Sequence, residues 1–376
     1  MEIVRKSAVS SLFGSKGHIG VSRGVAEFRG RRPVLITGGC DTLLALPVEG
    51  LDEQRLAEFA VLCAPVIPRL VITARRALAL GLDVTAPVAL QLAPGFDVGT
   101  VLALVADIKI ECRLNVATAG PAAVAAIQLV KMAQGVPAVL VAEIAATSSL
   151  MSEQHILTVD HKAVGLYGNE LIQSLVIASK ASVPLNTGAR AEFVVFRDAA
   201  GDTSVAIIVG KPDFSKPTLV RLHSACLTGD VFGSRRCDCG DQLNLSIKRL
   251  QQMGGGIVLY LAQEGRGLGL ANKMRTYQMQ DDGLDTVDAN LTLGFDDDER
   301  DYGIASRMLQ MLNCRRVVLL TNNPAKLKGL AQSGIQVTGR MPLEAPINSD
   351  NRRYLAAKAA RAGHQLNHVL ASQLAE

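Results

Sequence analysis

Unbroken apolar runs punctuate the first half of the chain: Pro33-Val34-Leu35-Ile36-Thr37 and Ala138-Val139-Leu140-Val141-Ala142 read as strands. Between them, Asp52 to Cys63 and Pro121 to Gln134 carry apolar residues at helical spacing. This alternation predicts an α/β domain over residues 1–177. The second half opens with strand-like segments at Ala191–Arg197, Thr203–Val209 and Leu219–His223. Helix and strand then alternate: Gln242–Met253 helical, Gly256–Ala262 extended, Gly269–Gln280 and Ile304–Leu312 helical, Arg316–Leu320 extended. Between the halves, Ala181-Ser182-Val183-Pro184-Leu185-Asn186-Thr187-Gly188 reads as a turn into a new sheet. The predicted class is therefore α/β (α+β) with two domains, 1–177 and 178–376, the second a mixed sheet with an antiparallel start and flanking helices. Most polar motifs fall at strand ends or helix starts, where side chains converge on a cleft.

Composition narrows the partners. A chain of 376 residues that is 48% hydrophobic can bury two ordinary cores. A net charge of +4 and only 4% aromatic residues exclude the basic stripe and stacking platform of a nucleic-acid binder, so the expected anionic partner is small. The first twenty residues hold no apolar run of signal-peptide length, and the apolar stretch Val136 to Ala146 is broken by Glu143. The expectation is a cytoplasmic protein with no membrane segment. Seven cysteines without a disulfide-scaffold spacing agree with a reducing compartment. Of these, Cys40, Cys63, Cys112 and Cys314 lack a motif and are expected to be inert.

Cys226, Cys237 and Cys239 are different, because they share one basic, glycine-rich stretch. Three soft ligands suit a catalytic zinc, whose fourth position stays open for a water brought to a pKa of about 7. Spacing alone also fits small buried thiols, since neither CxxC pairs nor CxxC…HxxxH occurs. Arg235 and Arg236 beside them either favour thiolates or form a solvated turn. Arg221 at a strand end, and Arg266 among Gly265, Gly267 and Gly269, offer guanidinium groups and close backbone approach to phosphate. Asn323 and Pro324 suit the start of a helix whose free N–H groups, with Lys326, face an anion. Asp298-Glu299-Arg300 reads by composition as an acidic, solvated helix entry.

In order, the chain carries Arg221-Leu222-His223-Ser224-Ala225-Cys226-Leu227-Thr228-Gly229-Asp230, Gly233-Ser234-Arg235-Arg236-Cys237-Asp238-Cys239-Gly240-Asp241-Gln242-Leu243, Gln263-Glu264-Gly265-Arg266-Gly267, Asp298-Glu299-Arg300-Asp301 and Thr321-Asn322-Asn323-Pro324-Ala325-Lys326. These segments resemble GTP cyclohydrolase II, over roughly residues 178 to 365. The resemblance implies zinc on Cys226, Cys237 and Cys239. It implies nucleotide contacts from Arg221, Leu222, His223, Ser224, Ala225, Gln242, Glu264, Gly265, Arg266, Thr286, Thr321 and Lys326. It further implies proton acceptance at Asp298, a guanylyl link at Arg300, an active-site role for Tyr277, and a homodimer. Because a guanidinium is a poor nucleophile, Arg300 as a clamp on the α-phosphate stays open beside that link, as does Asp298 simply holding Arg300. Charge alone calls for Mg2+ on the triphosphate. The implied reaction converts GTP to 2,5-diamino-6-ribosylamino-4(3H)-pyrimidinone 5′-phosphate, formate and pyrophosphate, the start of riboflavin biosynthesis.

Two departures stand against the resemblance. Ala225 occupies a position where the family often carries glutamate, which leaves open a nucleotide-binding regulatory paralogue without chemistry, or a cyclohydrolase serving another pathway. The first half is similar in pattern to 3,4-dihydroxy-2-butanone 4-phosphate synthase, in Pro121-Ala122-Ala123-Val124-Ala125 and on to Glu143. Its acidic Arg-Glu-Asn-Glu-Gly-Asp run has no match near Gly39-Cys40-Asp41-Thr42-Leu43-Leu44, and Gly120-Pro121 stands where a histidine is expected. The expectation is a degenerate, non-catalytic domain.

Overall fold

The computed structural model describes residues 14–39, 41–108, 110, 114–145, 150, 155–296, 298–361 and 366. Cys40 and Cys112 lie outside them. The chain divides into two compact units, residues 1–170 with 288–296, and 171–287 with 297–376. The break at 170 falls seven positions ahead of the boundary expected from sequence.

In chain order the first unit contains α1 (Lys16–Arg29), β1 (Val34–Gly38), β2 (Asp41–Pro47), α2 (Glu53–Cys63), β3 (Arg69–Ile72), α3 (Ala74–Ala79), β4 (Val88–Gln91), α4 (Val98–Ala106), β5 (Val116–Thr118), α5 (Pro121–Met132), β6 (Ala138–Glu143), β7 (Leu157–Asp160) and the start of α6 (His161–Ser174). Its sheet runs β5-β4-β3-β6-β2-β1-β7, antiparallel except for the β1/β7 pair. The first five residues of β6 are all buried, as an apolar run without alternation requires of a strand covered on both faces. Asp52, the first residue of the predicted helix, is instead the N-cap of α2, its carboxylate accepting from Arg55 N–H. Pro121 occupies the first turn of α5, where its missing N–H costs nothing. Cys63 is buried, and burial pushes its thiol up to about 12, which leaves it inert.

Arg76 of α3 is 2% exposed and pairs with main-chain carbonyls. Its Nε donates to Leu104 O (2.8 Å), Nη1 to Thr292 O (3.0 Å), and Nη2 to Ala103 O (3.0 Å) and Asp107 O (2.9 Å). The guanidinium thus caps the carboxyl end of α4 and fastens the 288–296 segment, which Thr73 Oγ1 also grips through Gly294 O (2.7 Å). Arg76→Met strands these carbonyls in a buried place. It is expected to cost the full-length protein about 3 kcal/mol, at 1–3 kcal/mol for each unsatisfied buried group. Denaturant titration showing a loss below about 0.5 kcal/mol, the range of a neutral surface change, contradicts this account.

The second unit continues with β8 (Val176–Pro184), β9 (Arg190–Arg197), β10 (Thr203–Gly210), β11 (Thr218–Ser224), a π-turn at Leu227–Val231, α7 (Cys239–Gln252), β12 (Gly255–Leu261), a short 3-10 turn at Glu264–Gly267, α8 (Leu270–Asp281), α9 (Thr286–Thr292, whose end belongs to the first unit), α10 (Gly303–Met311), β13 (Arg316–Leu320), α11 (Pro324–Gln332), β14 (Gln336–Met341) and α12 (Arg352–Arg361). Strand order is β14-β13-β11-β12-β10-β9-β8. The first four are parallel and the last three join antiparallel, so the expected antiparallel start to an α/β layer is present. Ile257, Leu259 and Leu261 of β12 bury with Ala305, Met308 and Leu309 of α10. Val258 points the other way, to Ile247 and Leu250 of α7. Helices on both faces explain the unalternating Ile257-Val258-Leu259-Tyr260-Leu261 run, each fully buried aliphatic contributing about 1.5–3 kcal/mol.

β11 has β12 on one side and β13 on the other, both parallel to it. The chain therefore crosses in opposite directions from one strand end, and the loops after β11, β12 and β13 open a crevice at their carboxyl ends.

Candidate active site

The turn after β11 begins at Cys226, and α7 begins at Cys239 just after Cys237. The three sulfurs lie within 4.8 Å of one another, with Cys226 Sγ and Cys237 Sγ 3.8 Å apart. That matches the separation of about 3.8 Å that two sulfurs have around a tetrahedral zinc at about 2.3 Å. Gly229 closes one side. A Cβ there would stand 2.9 Å from Cys237 Sγ, 3.1 Å from Cys226 Sγ and 3.0 Å from Cys239 Cβ. Donor type, spacing and this missing side chain all fit zinc. Gly229→Ala is expected to lower zinc affinity about 10- to 100-fold, as lost support of a metal site does. Chelator competition giving wild-type affinity contradicts that expectation.

Asp230 organises the turn from beneath. Its carboxylate accepts from Cys226 N–H (2.9 Å), the Tyr260 hydroxyl (2.9 Å) and His223 Nε2 (3.1 Å to each oxygen). Since a carboxylate only accepts, the His223 proton sits on Nε2, and burial lowers the ring's pKa against the opposing pull of Asp230. The side chain of His223 thus serves the turn, and its Nδ1 is buried without a partner.

The cation against the sulfurs is Lys273, a residue the sequence reading missed. Its Nζ lies 3.0 Å from Cys226 Sγ, 3.0 Å from Thr228 Oγ1 and 2.9 Å from Glu264 Oε1. Burial pulls its pKa down, but the contacts with Cys226 and Glu264 outweigh burial and hold it above the usual lysine value. Cys226 is held far below the ordinary thiol range, first by Cys237 and Cys239 and then by Lys273, whereas Cys237 and Cys239 are raised. A metal would bind all three as thiolates and displace whatever protons they carry. Lys273 and the predicted Tyr277 are four apart on α8, so one helix face places both, and that spacing was a readable signal. Arg235 and Arg236 instead pair away from the sulfurs, with Asp350 (2.7 Å) and Asp281 (2.9 Å), and Arg236 stacks 4.6 Å from the Tyr277 ring.

After β12, Gly265, Arg266, Gly267 and Gly269 all have positive φ, which coils the chain tightly enough for Glu264 to reach back. Glu264 Oε2 accepts from Leu227 N–H (2.6 Å), so a carboxylate supports the turn that follows Ala225. The coil meets the acidic segment: Glu299 N–H donates to Arg266 O (3.2 Å), and a Cβ on Gly267 would press on Glu299 at 3.2 Å. There Arg300 forks onto Asp298, with Nε to Oδ1 at 2.6 Å and Nη2 to Oδ2, while Nη1 reaches Ser224 Oγ at 3.5 Å. This ion pair is partly buried, with the Arg300 side chain 8% and the Asp298 side chain 22% exposed, where composition suggested a solvated helix entry. Burial pushes the Asp298 carboxyl up, but Arg300 prevails and holds it below the usual range.

Arg221 is buried, donating to Leu320 O (3.1 Å) and Gln242 Oε1, and burial lowers its pKa to about 10. Gln242 in turn donates to Asp238 between the two ligand cysteines. Lys326 Nζ donates to Leu222 O (2.7 Å), and Thr321 Oγ1 accepts from Asn323 N–H (3.0 Å). Asn323 caps α11 through Ala325 N–H (2.8 Å), with Pro324 in the first turn as expected. Arg221 is thus tied to Gln242, and Lys326 to Leu222, while Thr321 serves the turn that leads into α11. Ser224, Glu264, Gly265, Arg266 and Arg300 gather near the mouth of the crevice, and Thr286 lines a cavity with Arg235 and Arg236.

Three clustered cysteines, an arginine–carboxylate fork and a glycine-rich turn at the carboxyl ends of the parallel strands of a mixed sheet fit the site of a hydrolase that acts on a small anionic substrate and could use a metal. A family model for GTP cyclohydrolase II matches residues 177–342. The GTP cyclohydrolase-2 of Xylella fastidiosa (strain Temecula1) is 38% identical over 362 residues, covering 94% of this chain and 89% of that one. The GTP cyclohydrolase-2 of Azospirillum brasilense is 43% identical over 245 residues, 64% of either chain. The riboflavin biosynthesis protein RibBA of Bacillus mycoides is 50% identical over 163 residues, 43% of this chain and 41% of that one. The chain belongs to the GTP cyclohydrolase II family and is a hydrolase. No helix among the described residues is long and apolar enough to cross a membrane.

Proposed function

We propose that the chain hydrolyses GTP, with Mg2+ on its phosphates, to 2,5-diamino-6-ribosylamino-4(3H)-pyrimidinone 5′-phosphate, formate and pyrophosphate, and that it opens riboflavin biosynthesis as a cytoplasmic homodimer. The observation that carries this reading is the cluster of three sulfurs at zinc spacing beside the Asp298–Arg300 fork. Cys226, Cys237 and Cys239 would hold a zinc ion, which would supply the Lewis acidity needed to make water a nucleophile towards the base.

The chain's own residues do the rest. Lys273 screens the sulfur charge and keeps Glu264 in place. Arg266, on backbone coiled by three glycines, faces the phosphates beside Arg300. Tyr277, its pKa raised first by burial, stays a phenol and donates a hydrogen bond to the base or to water. Asp298 serves better as the brace of Arg300 than as a proton acceptor, since a general base works best with a pKa near the working pH and Asp298 is held below the carboxylate range. Arg300, doubly bonded to Asp298 and raised in pKa by it against the effect of burial, acts as a phosphate clamp rather than a nucleophile. Glu264 beneath the turn after Ala225 supports retained chemistry over a purely regulatory role. The first unit is read as a non-catalytic scaffold.

Purified full-length protein incubated with GTP and Mg2+ is expected to release formate and form a pyrimidine chromophore. Zinc-loaded protein that binds GTP without releasing formate sinks the reading and favours the regulatory one.

A further inference from the structure

At the end of α10 away from the Asp298–Arg300 fork, the second unit holds a cavity of about 350 Å³ lined by Arg307, Gln310, Met311, Arg315 and Gly334. We propose that it is a second anion site, which takes a small phosphate-bearing molecule on the guanidinium forks of Arg307 and Arg315, with the Gln310 amide as a third donor. The site stands on its own residues and does not depend on the proposed hydrolysis of GTP.

The lining holds two arginines and no carboxylate. Among the described residues neither guanidinium has a hydrogen bond or an ion pair, whereas Arg235, Arg236, Arg300 and Arg361 of the same unit all meet aspartates. Gln310 and Met311 close α10, and Gly334 follows the end of α11, so two helix carboxyl ends border the cavity. Each carries only about half a negative charge, which leaves about one of the two positive charges unmatched. The last carbonyls are also engaged by the chain itself: Asn313 N–H donates to Gln310 O (3.0 Å), Cys314 N–H to Leu309 O (2.9 Å) and Gly334 N–H to Ala331 O (3.1 Å).

Arg307 Nε is buried without a hydrogen-bond partner, a costly state that a turn of the guanidinium toward an oxyanion in the cavity relieves. Arg307, Gln310 and Met311 stand three and four apart on α10, so one helix face brings them together, and Arg315 arrives from the turn into β13. Gly334, at φ +87°, has no side chain to set against the Gln310 amide, where a Cβ would stand 3.8 Å from Nε2. Two forks and an amide call for an anion with oxygens on more than one edge. A phosphate or diphosphate has them, whereas a single carboxylate fills one fork. The volume is at the small end of the range for ligand pockets, which suits a small molecule rather than a protein surface. α10 starts beside Tyr302, whose hydroxyl donates to Asp298 (3.3 Å), and its nine residues span about 13 Å. A phosphate at its carboxyl end is thus out of reach of Arg300.

The chain contains no tryptophan, so Met311→Trp in the full-length protein places a single reporter on the cavity wall. Pyrophosphate and ribose 5-phosphate are expected to change its fluorescence with saturation. Adding Arg307→Gln or Arg315→Gln is expected to weaken that binding about 10- to 100-fold, the scale of lost hydrogen bonds to a charged group. Thermal melts check that each variant is folded. Calorimetry without the reporter then counts each ligand: wild type is expected to bind one equivalent more per chain than the Arg307→Gln/Arg315→Gln double variant, whatever binds at the active site. Tighter binding of ribose 5-phosphate marks an organic phosphomonoester as the source, tighter binding of pyrophosphate a free inorganic anion, and either upholds the site. Equal counts of both ligands in wild type and double variant overturn it. So do folded reporter proteins whose affinities stay within about twofold when either arginine is removed.

Discussion

Cys237→Ser is expected to abolish formate release from GTP and to strip the protein of stoichiometric zinc, while pyrophosphate release remains measurable. The first effect follows from ligand chemistry. A serine hydroxyl stays protonated at neutral pH and is a hard donor, so two thiolates remain where a catalytic site needs three protein ligands. Cys237 is also the sulfur next to Cys226, at 3.8 Å, so its loss opens the cluster. Without the metal, attack on C8 falls back to bulk water, a loss expected to exceed about a thousandfold. In the proposed function, pyrophosphate release draws on other groups, Arg266, Arg300 and Mg2+ on the phosphates. The measurement is elemental analysis beside separate formate and pyrophosphate assays. Full formate release from zinc-free variant protein removes the basis of the proposed function.

Arg300→Lys is expected to lower pyrophosphate release by about 100- to 1,000-fold with zinc content unchanged, the usual cost of removing one preorganised donor from developing charge. Lysine keeps the charge but cannot reproduce the fork on Asp298, whose two oxygens now take Nε and Nη2 of Arg300. The change also leaves a half-buried carboxylate with a poorer partner. Asp298→Asn should then resemble Arg300→Lys, and the double variant should be little worse than either, because the pair acts as one unit. Independent, multiplying losses would show that Asp298 has a separate role as proton acceptor. The pH dependence has a definite sign. A carboxylate whose folded pKa is depressed contributes stability above its unfolded value of about 3.9, and that contribution is lost as pH falls through the lower folded value. The fork therefore stays intact through neutral pH and fails only in acid.

Much of the fold was legible. The predicted helix Gly269–Gln280 is α8 at Leu270–Asp281, and the Asn323-Pro324 start is the cap of α11, because capping and periodicity are local physics. The dense Cys226…Cys237-Asp238-Cys239 stretch announced its cluster because the ligands stand close along the chain. Arg235 and Arg236 show where this ended. Sequence placed them beside the cysteines, yet their partners, Asp350 and Asp281, lie far along the chain and are brought over by α12 and α8.

By itself the sequence determined the order of elements, the two-part division, the three thiols and the glycine-rich coil, since each depends on residues within a turn or two of one another. Only the tertiary structure decided that Lys273 touches Cys226, that His223 turns to Asp230, that Asp298 and Arg300 form a partly buried fork, and that residues 288–296 join the first unit. Periodicity says which face of a helix or strand is apolar. Which faces then meet is settled by packing across the whole unit, where burial sets both the partner of each charge and its pKa.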